Sequence, residues 1–252
     1  AILPESPERE KYLELVREVE RQCASDAERI LSVSEGDKAR LVELYGVDER
    51  KIQIVRNGMD FRAARSNRLP ADERSRLKER LGFGRSPVAL FIGSYHGPNI
   101  EALQAINRMA SQCPGVLFLV MGSVCDHEEA GRAPVNVKNL GLLDEEEKNV
   151  LLNAADIALN PIQSGSGSNL KLLEYIAYGI PVITTPHGNR GYGLQDKEHL
   201  IMAEVADYPD VLADLLSADR ASLRRMVETA EKYASSRYDW SVIAADLFHF
   251  FS

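Results

Sequence analysis

Three features of this 252-residue sequence predict an α/β fold, a parallel sheet with helices on both faces. From Val88 onward, apolar runs alternate with amphipathic stretches: "VALFIG", "PNIEALQAINRMA", "VLFLVMG", and so on to "HLIMA". The runs are apolar throughout rather than every second residue, as befits strands buried on both faces. Boundary signals sit between them, including a capping box of Asp144 and Glu147 ahead of "EEKNVLLNAA".

The elements follow in order. The first long segment places Tyr12, Val16, Val19, Cys23 and Ala27 on one helical face. "ILSV" at 30–33 reads as a strand, and Ser34, with Asp37 three residues on, caps a helix whose apolar side is Leu41, Leu44 and Tyr45. "KIQIV" is a second strand, closed by the Arg56-Asn57-Gly58 turn. Residues 61–87 are mixed and charged, with an exposed helix at "DERSRLKERL". "DIALNP" is a strand that leads into a glycine loop, a helix and the strand "PVITT". Two helices between Tyr208 and Ser235 precede a last one capped by Asp239, with Trp240, Ile243, Leu247 and Phe250 in line.

Composition narrows the function. The chain is 44% hydrophobic and 27% charged, enough apolar content for a full core. Its net charge of −8, with no basic block, argues against nucleic acid, which requires a cationic stripe to displace counterions. No apolar run reaches the ~20 residues of a membrane span, and "AILPESPEREKYLELV" is too polar for a signal peptide. Cys23, Cys113 and Cys125 are odd in number and lack metal-ligand spacing, so a reducing, cytoplasmic setting is expected. Cys125-Asp126-His127 is too small a group for a metal site, and the acidic run 144–147 suits a helix start.

The chemistry-bearing stretch is "SGSGSNLKLLEYIAYGIPVITT" at 164–185. On a helix, Leu170, Leu173, Ile176, Ala177 and Ile180 form the buried side, while Gly167, Lys171, Glu174 and Tyr178 share a narrow stripe at its edge. Side chains lean toward a helix's N-terminus, so Lys171 and Glu174 are expected to point toward the glycines. Gly165 and Gly167 permit close backbone approach, and the first N–H groups with the helix dipole favour an anion. Lys171 suits a phosphate oxygen, and the two oxygens of Glu174 suit paired ribose hydroxyls. Singly, each residue has an ordinary reading as a turn, a surface ion pair or packing. Together, beyond the carboxyl end of a strand, they indicate an anion or nucleotide site. The stretch is neither the G-x-G-x-x-G nor the G-x-x-x-x-G-K-[ST] motif, which counts against a nicotinamide-dependent oxidoreductase.

The order of "VSEGDKARLVELYGVDERKIQIVRNGMD", "LFIGSYHGPNIEAL", "VKNLGLL…LLNAADIALNP" and "GSGSNLKLLEYIAYGIPVITT" resembles the group 1, or family 4, glycosyltransferases. The resemblance runs from about Ala24 to the end. It implies one half of a GT-B fold, in which two Rossmann-like domains face each other and the carboxyl-terminal one binds a nucleotide sugar. On this reading residues 1–56 are the last units of the acceptor-side domain, 57–237 the donor domain and 238–252 a helix crossing back, the whole being a donor-binding half of a longer enzyme. The resemblance makes Glu174 the ribose-binding second glutamate of a Glu-x7-Glu motif. It gives Gly165, Ser166, Gly167 and Ser168 to the donor phosphate and sugar, Gly141 and Leu142 to the base pocket, and Arg190 in "HGNRG" to the diphosphate, with His187 beside it. It further implies retaining transfer from a UDP- or GDP-sugar to an acceptor hydroxyl, without a bound metal or other cofactor. Two positions depart from the pattern. Ser166 stands where the first glutamate would fall, leaving the catalytic group unassigned, and "GSYHGPN" lacks the family's Arg and Lys, with His96 its one cationic candidate. Lys171 is then the stand-in cation. The reading from another class is a non-catalytic binding module built on a degenerate donor domain.

Overall fold

A computed structural model describes residues 6–165 and 167–251, except for the side chains of residues 7 and 249–251. The chain divides into two compact units, residues 1–57 with 243–252, and residues 58–242.

The first unit contains α1 (Pro7–Asp26), β1 (Ile30–Ser32), α2 (Glu35–Tyr45) and β2 (Ile52–Ile54). Ser6 and Ser34 cap the two helices, their hydroxyls accepting from the N–H of Arg9 and Asp37 at 3.2 and 3.1 Å. This satisfies donors that a helix start leaves unpaired. The strands pair in parallel over a small core of Ala24, Val47 and Ile52, with Leu41, Val42 and Tyr45 packed against it. The expected apolar face of α1 is largely uncovered: Tyr12 is 57% and Val19 54% exposed, and Cys23 is exposed as well. Two three-residue strands do not provide a surface wide enough for a 20-residue helix.

The second unit begins with α3 (Phe61–Ser66) and α4 (Ala71–Arg80). A mixed pattern hides α3 in the sequence, yet Phe61 is fully buried and Asp60 caps the helix through the N–H of Ala63. Next come β3 (Val88–Ile92), α5 (Gly97–Gln112), β4 (Leu117–Met121), β5 (Val137–Asn139), α6 (Glu145–Ala154) and β6 (Ile157–Asn160). The unit continues with α7 (Leu170–Ala177), β7 (Val182–Thr184), β8 (Ile201–Met202), α8 (Tyr208–Ser217) and α9 (Arg220–Tyr238). It ends in the first residues of α10 (Trp240–Phe251). The Asp239 carboxylate accepts from the N–H groups of Ser241 and Phe61, so one side chain caps both α10 and α3. Phe250 of the tail stripe lies outside the described side chains; Trp240 is half exposed and Ile243 buried.

Six strands form one parallel sheet in the order β5-β4-β3-β6-β7-β8. Alternation along β3 divides the core in two: Val88 and Leu90 pack with residues of α6, α7 and α9, whereas Ala89 and Phe91 pack with residues of α5 and α8. Both faces are therefore covered, which accounts for the uniformly apolar strands. The chain moves outward from β3 to β4 and β5, then returns to place β6 on the other side of β3. That reversal is a topological switch point, and the crevice at its carboxyl end is where open α/β sheets bind ligands.

The carboxyl ends of β3 and β4 are held close by two glycines. Gly122 has φ +99°, and a Cβ there would lie 2.2 Å from the carbonyl oxygen of Gly93. Gly122→Ala is expected to lose at least ~2 kcal/mol, from a strained backbone and the clash together, which lowers the melting temperature by roughly 4–8 °C in a thermal unfolding experiment.

Candidate functional site at the sheet's switch point

The loops following β3 and β6 enclose a cavity of about 210 Å³ whose lining includes Ser94, His96, Asn99, Gly165, Lys171 and Arg190. The loop geometry follows from the glycines. Gly165 and Gly167 have φ of +98° and +74°, and a Cβ on Gly165 would come within 2.9 Å of Pro98. Only a glycine combines that backbone angle with that approach. α5 and α7 both start at this crevice, so two positive dipole ends converge on it.

Lys171, in the first turn of α7, extends across the switch point. Its Nζ donates to Asn99 Oδ1 at 2.7 Å and lies 4.3 Å from the centroid of the buried Phe91 ring. Among the described residues, no carboxylate pairs with it. Burial therefore acts on the ammonium uncompensated and lowers its pKa from 10.5 to about 7. Tyr175, one turn further on, braces the same junction by accepting the Ile92 N–H at 2.8 Å. The loop after β7 closes another side: Arg190 donates to the His187 carbonyl at 2.9 Å, and His187 Nε2 sits 3.2 Å from the Gly165 carbonyl. Asn160, fully buried at the end of β6, and Asn169 at the head of α7 both donate to the carbonyl of Gly188, at 3.1 and 2.8 Å. They fix that loop against the glycine segment.

The sequence-derived residues divide. Gly165, Ser168, Lys171 and Arg190 gather around one crevice; Gly167, though in the same loop, does not line it, and Ser166 lies outside the described residues. Glu174 does not line the crevice. Instead of pointing with Lys171 toward the glycines, it forms a 2.9 Å ion pair with Lys148 of α6, which also bonds Glu145. Burial works against the Lys148 charge, but the bonds from Glu145 and Glu174 outweigh it and raise the pKa. The two stripe residues diverge because ~60° of helical rotation aims them at different neighbours, and only Glu174 finds an opposite charge. Tyr178, expected on the stripe, is buried and bonds Asn149; Leu170, expected inside, is 49% exposed. Gly141, with φ +72°, accepts the Gly122 N–H at 2.7 Å, and Leu142 beside it is 75% exposed at the rim.

Sequence reasoning missed Asn99 and Ser94. The signal available was the Pro-Asn pair opening a helix directly after a strand, as at other ligand-binding crevices of this sheet type. A larger cavity, about 630 Å³, opens at the amino ends of β3, β6 and β7, and its lining includes Arg74, Lys78, Arg85 and Arg220. Size does not make it the site. Arg74 there is engaged by the terminal carbonyls of α6, and Lys78 by Asp156. Among the described residues no cluster of three or more His, Cys, Asp or Glu is disposed to hold a metal, and no helix is long and apolar enough to cross a membrane.

The family model described as Glycosyl transferases group 1 matches residues 86–218, more than half of the chain. The chain belongs to that family. Phosphatidyl-myo-inositol mannosyltransferase of Mycobacterium tuberculosis is 29% identical over 171 residues, which are 64% of this chain and 45% of that protein. Glycogen synthase of the same species is 25% identical over 237 residues, covering 91% and 55%. The chain thus spans about half the length of the curated relatives it matches. Among solved structures, Anabaena Alr3699/HepE in complex with UDP and glucose superposes with a TM-score of 0.79 at 16% identity, over 98% of this chain and 68% of that one. The C-terminal domain of a glycosyl transferase group 1 protein, LpcC of Francisella tularensis, is covered completely by 73% of this chain, with a TM-score of 0.54. These likenesses show the GT-B glycosyltransferase fold, and the family is one of transferases.

The buried Lys171 makes stability depend on pH. Its folded pKa lies below its unfolded one, so between about pH 7 and 10.5 the unfolded chain binds a proton that the folded chain releases. Relative to Lys171→Met, the unsubstituted protein is expected to gain stability as pH rises through that window. Below pH 7 the full burden of the buried charge remains. Urea unfolding at pH 6.5, 8 and 9.5 measures it, and a pH-independent difference between the two proteins would contradict it.

Proposed function

We propose that this chain is the donor-binding part of a retaining glycosyltransferase that moves a sugar from a nucleotide sugar, UDP- or GDP-linked, to an acceptor hydroxyl. The observation that carries this reading is the crevice itself, where two helix N-termini, Lys171 and Arg190 converge at the switch point of a group 1 glycosyltransferase sheet. The donor diphosphate takes this position, with phosphate oxygens on the backbone N–H groups of the Gly165–Ser168 loop and on Lys171. During transfer the bond from the sugar's anomeric carbon to the phosphate oxygen breaks, and the nucleoside diphosphate leaves with the electron pair. A cation and dipoles already oriented toward that oxygen stabilise the developing charge without reorganising. Glu174 exchanges part of its bond to Lys148 for the ribose hydroxyls, and Gly141 and Leu142 border the base.

The first unit, with its strand pair and uncovered α1, represents in this reading the carboxyl-terminal portion of an acceptor-side domain. Solved relatives bound to UDP and to UDP-glucose support the donor class. Free thiols at Cys23, Cys113 and Cys125 agree with a reducing cytoplasm. A non-catalytic module remains the second reading, favoured by Ser166 in place of an acid and by the exposed Tyr12, Leu15 and Val19 of α1.

Thermal shift with UDP, GDP, ADP and NAD tests the proposal. One nucleoside diphosphate, at a hundred times its dissociation constant, is expected to add ~2.7 kcal/mol and raise the melting temperature by roughly 5–10 °C. Glu174→Ala is expected to weaken that binding about tenfold or more, the loss of charge-assisted hydrogen bonds. A shift with NAD alone, or none with any nucleotide, would overturn the donor-site reading.

A further inference from the structure

Lys171 is held by an unusual partner. A buried lysine ordinarily gains a carboxylate, and the resulting pair cancels its charge. Here the partner is an amide whose orientation the structure fixes. Asn99 Nδ2 donates to the carbonyl oxygen of Ser94 at 3.0 Å and to Ser94 Oγ at 3.1 Å. Its Oδ1 is thereby turned to the ammonium, 2.7 Å away. The opposite orientation would set an NH2 group against a donor that cannot accept a hydrogen bond. Phe91 supplies the floor, offering its ring face to the cation but no charge.

We propose that Asn99 is a positioning residue that presents the Lys171 ammonium to an anionic ligand while leaving its charge uncancelled, and that this neutrality is what makes the crevice able to hold a sugar-nucleotide diphosphate. The proposal rests on the donor-site reading above and adds to it the reason the cation remains available. Three observations converge on it. The amide is anchored at two points, so it fixes where Nζ sits. The described residues include no acid paired with Lys171. A carboxylate beside the glycine loop, Glu101 in the second turn of α5, is engaged by the Ser164 hydroxyl at 2.8 Å. The other titratable or charged groups about the crevice are His96 at the head of α5, His187 and Arg190 in the loop after β7, and Glu174 on α7, whose carboxylate is bound to Lys148. None of them supplies Lys171 with a counter-charge, so an anionic ligand does.

Two variants separate neutrality from the anchor. Asn99→Asp retains the size of the side chain and its acceptor toward Lys171 and adds the missing negative charge, while giving up the two bonds that Nδ2 donates to Ser94. Asp in the first turn of α5 favours the helix and its ion pair with Lys171 offsets the bonds lost to Ser94, so the variant is expected to fold. Binding is read by calorimetry with UDP-glucose, GDP-mannose and ADP-glucose, whose diphosphates carry an unchanging pair of negative charges, one on each phosphate, as pH is varied. In the unsubstituted protein, affinity for the sugar nucleotide it accepts is expected to fall by about tenfold or more from pH 6.5 to 8.5, because burial places the Lys171 pKa near 7. In Asn99→Asp, binding is expected to be weaker by about tenfold or more at pH 6.5 and nearly flat with pH, since the new ion pair holds Lys171 protonated throughout.

Asn99→Leu, which removes the anchor but adds no charge, is expected to bind weakly while retaining the pH slope. A loss of affinity in Asn99→Asp with the wild-type slope intact would indicate mere damage to the loop and overturn the proposal. So would unchanged affinity in Asn99→Asp while the unsubstituted protein binds. If the unsubstituted protein binds none of the three sugar nucleotides, the donor-site reading itself fails, and this inference fails with it.

Discussion

A parallel sheet that is wound first one way and then the other leaves a gap between its two central strands at their carboxyl ends. The candidate site of this chain depends on that gap. With β6 placed beside β3, α5 and α7 start next to each other, and the positive ends of their dipoles face one small space. Gly165 lets backbone line that space, and Lys171 spans it. The Tyr175 hydroxyl bonding the Ile92 N–H ties the same two elements from below, so the scaffold that orients the lysine is part of the core.

The electrostatics of the crevice have a definite asymmetry. The lysine there is held by neutral groups: an amide oxygen and an aromatic face. Elsewhere the protein pairs its charges in the ordinary way, as Arg65 and Arg68 do with Glu231 and Lys78 with Asp156. The contrast distinguishes a place built to receive negative charge from places built to be stable. It also explains why the larger cavity at the opposite edge of the sheet is the lesser candidate, for there the lysine already has its acid and the buried arginine its carbonyls.

Much of this was legible in the sequence, for identifiable reasons. Uniformly apolar strands indicate the covered sheet, and the local caps at Ser34 and Asp144 involve contacts three residues apart that a sequence displays directly. The glycine loop was legible because its positions require positive φ. What was hidden depends on contacts distant in the chain. α3 has no helical period of its own and is fixed by Phe61 in the core and by Asp239, 178 positions away. The Lys171–Asn99 bond spans 72 residues, so the lysine could be assigned to an anion but not its holder. The Lys148–Glu174 pair likewise could not be seen, and it turned a residue expected to face the glycines toward α6. The apolar stripe of α1 was read correctly as a pattern, but a pattern does not say whether the unit it belongs to is large enough to bury it.

The most direct test of the central claim is a crystal structure of this chain with the nucleoside diphosphate that stabilises it most. The account predicts both phosphates in the crevice between the start of α5 and the 165–168 loop, with a phosphate oxygen within hydrogen-bond reach of Lys171 Nζ. Phosphate density at the other edge of the sheet, against Arg85 and Arg220, would contradict it.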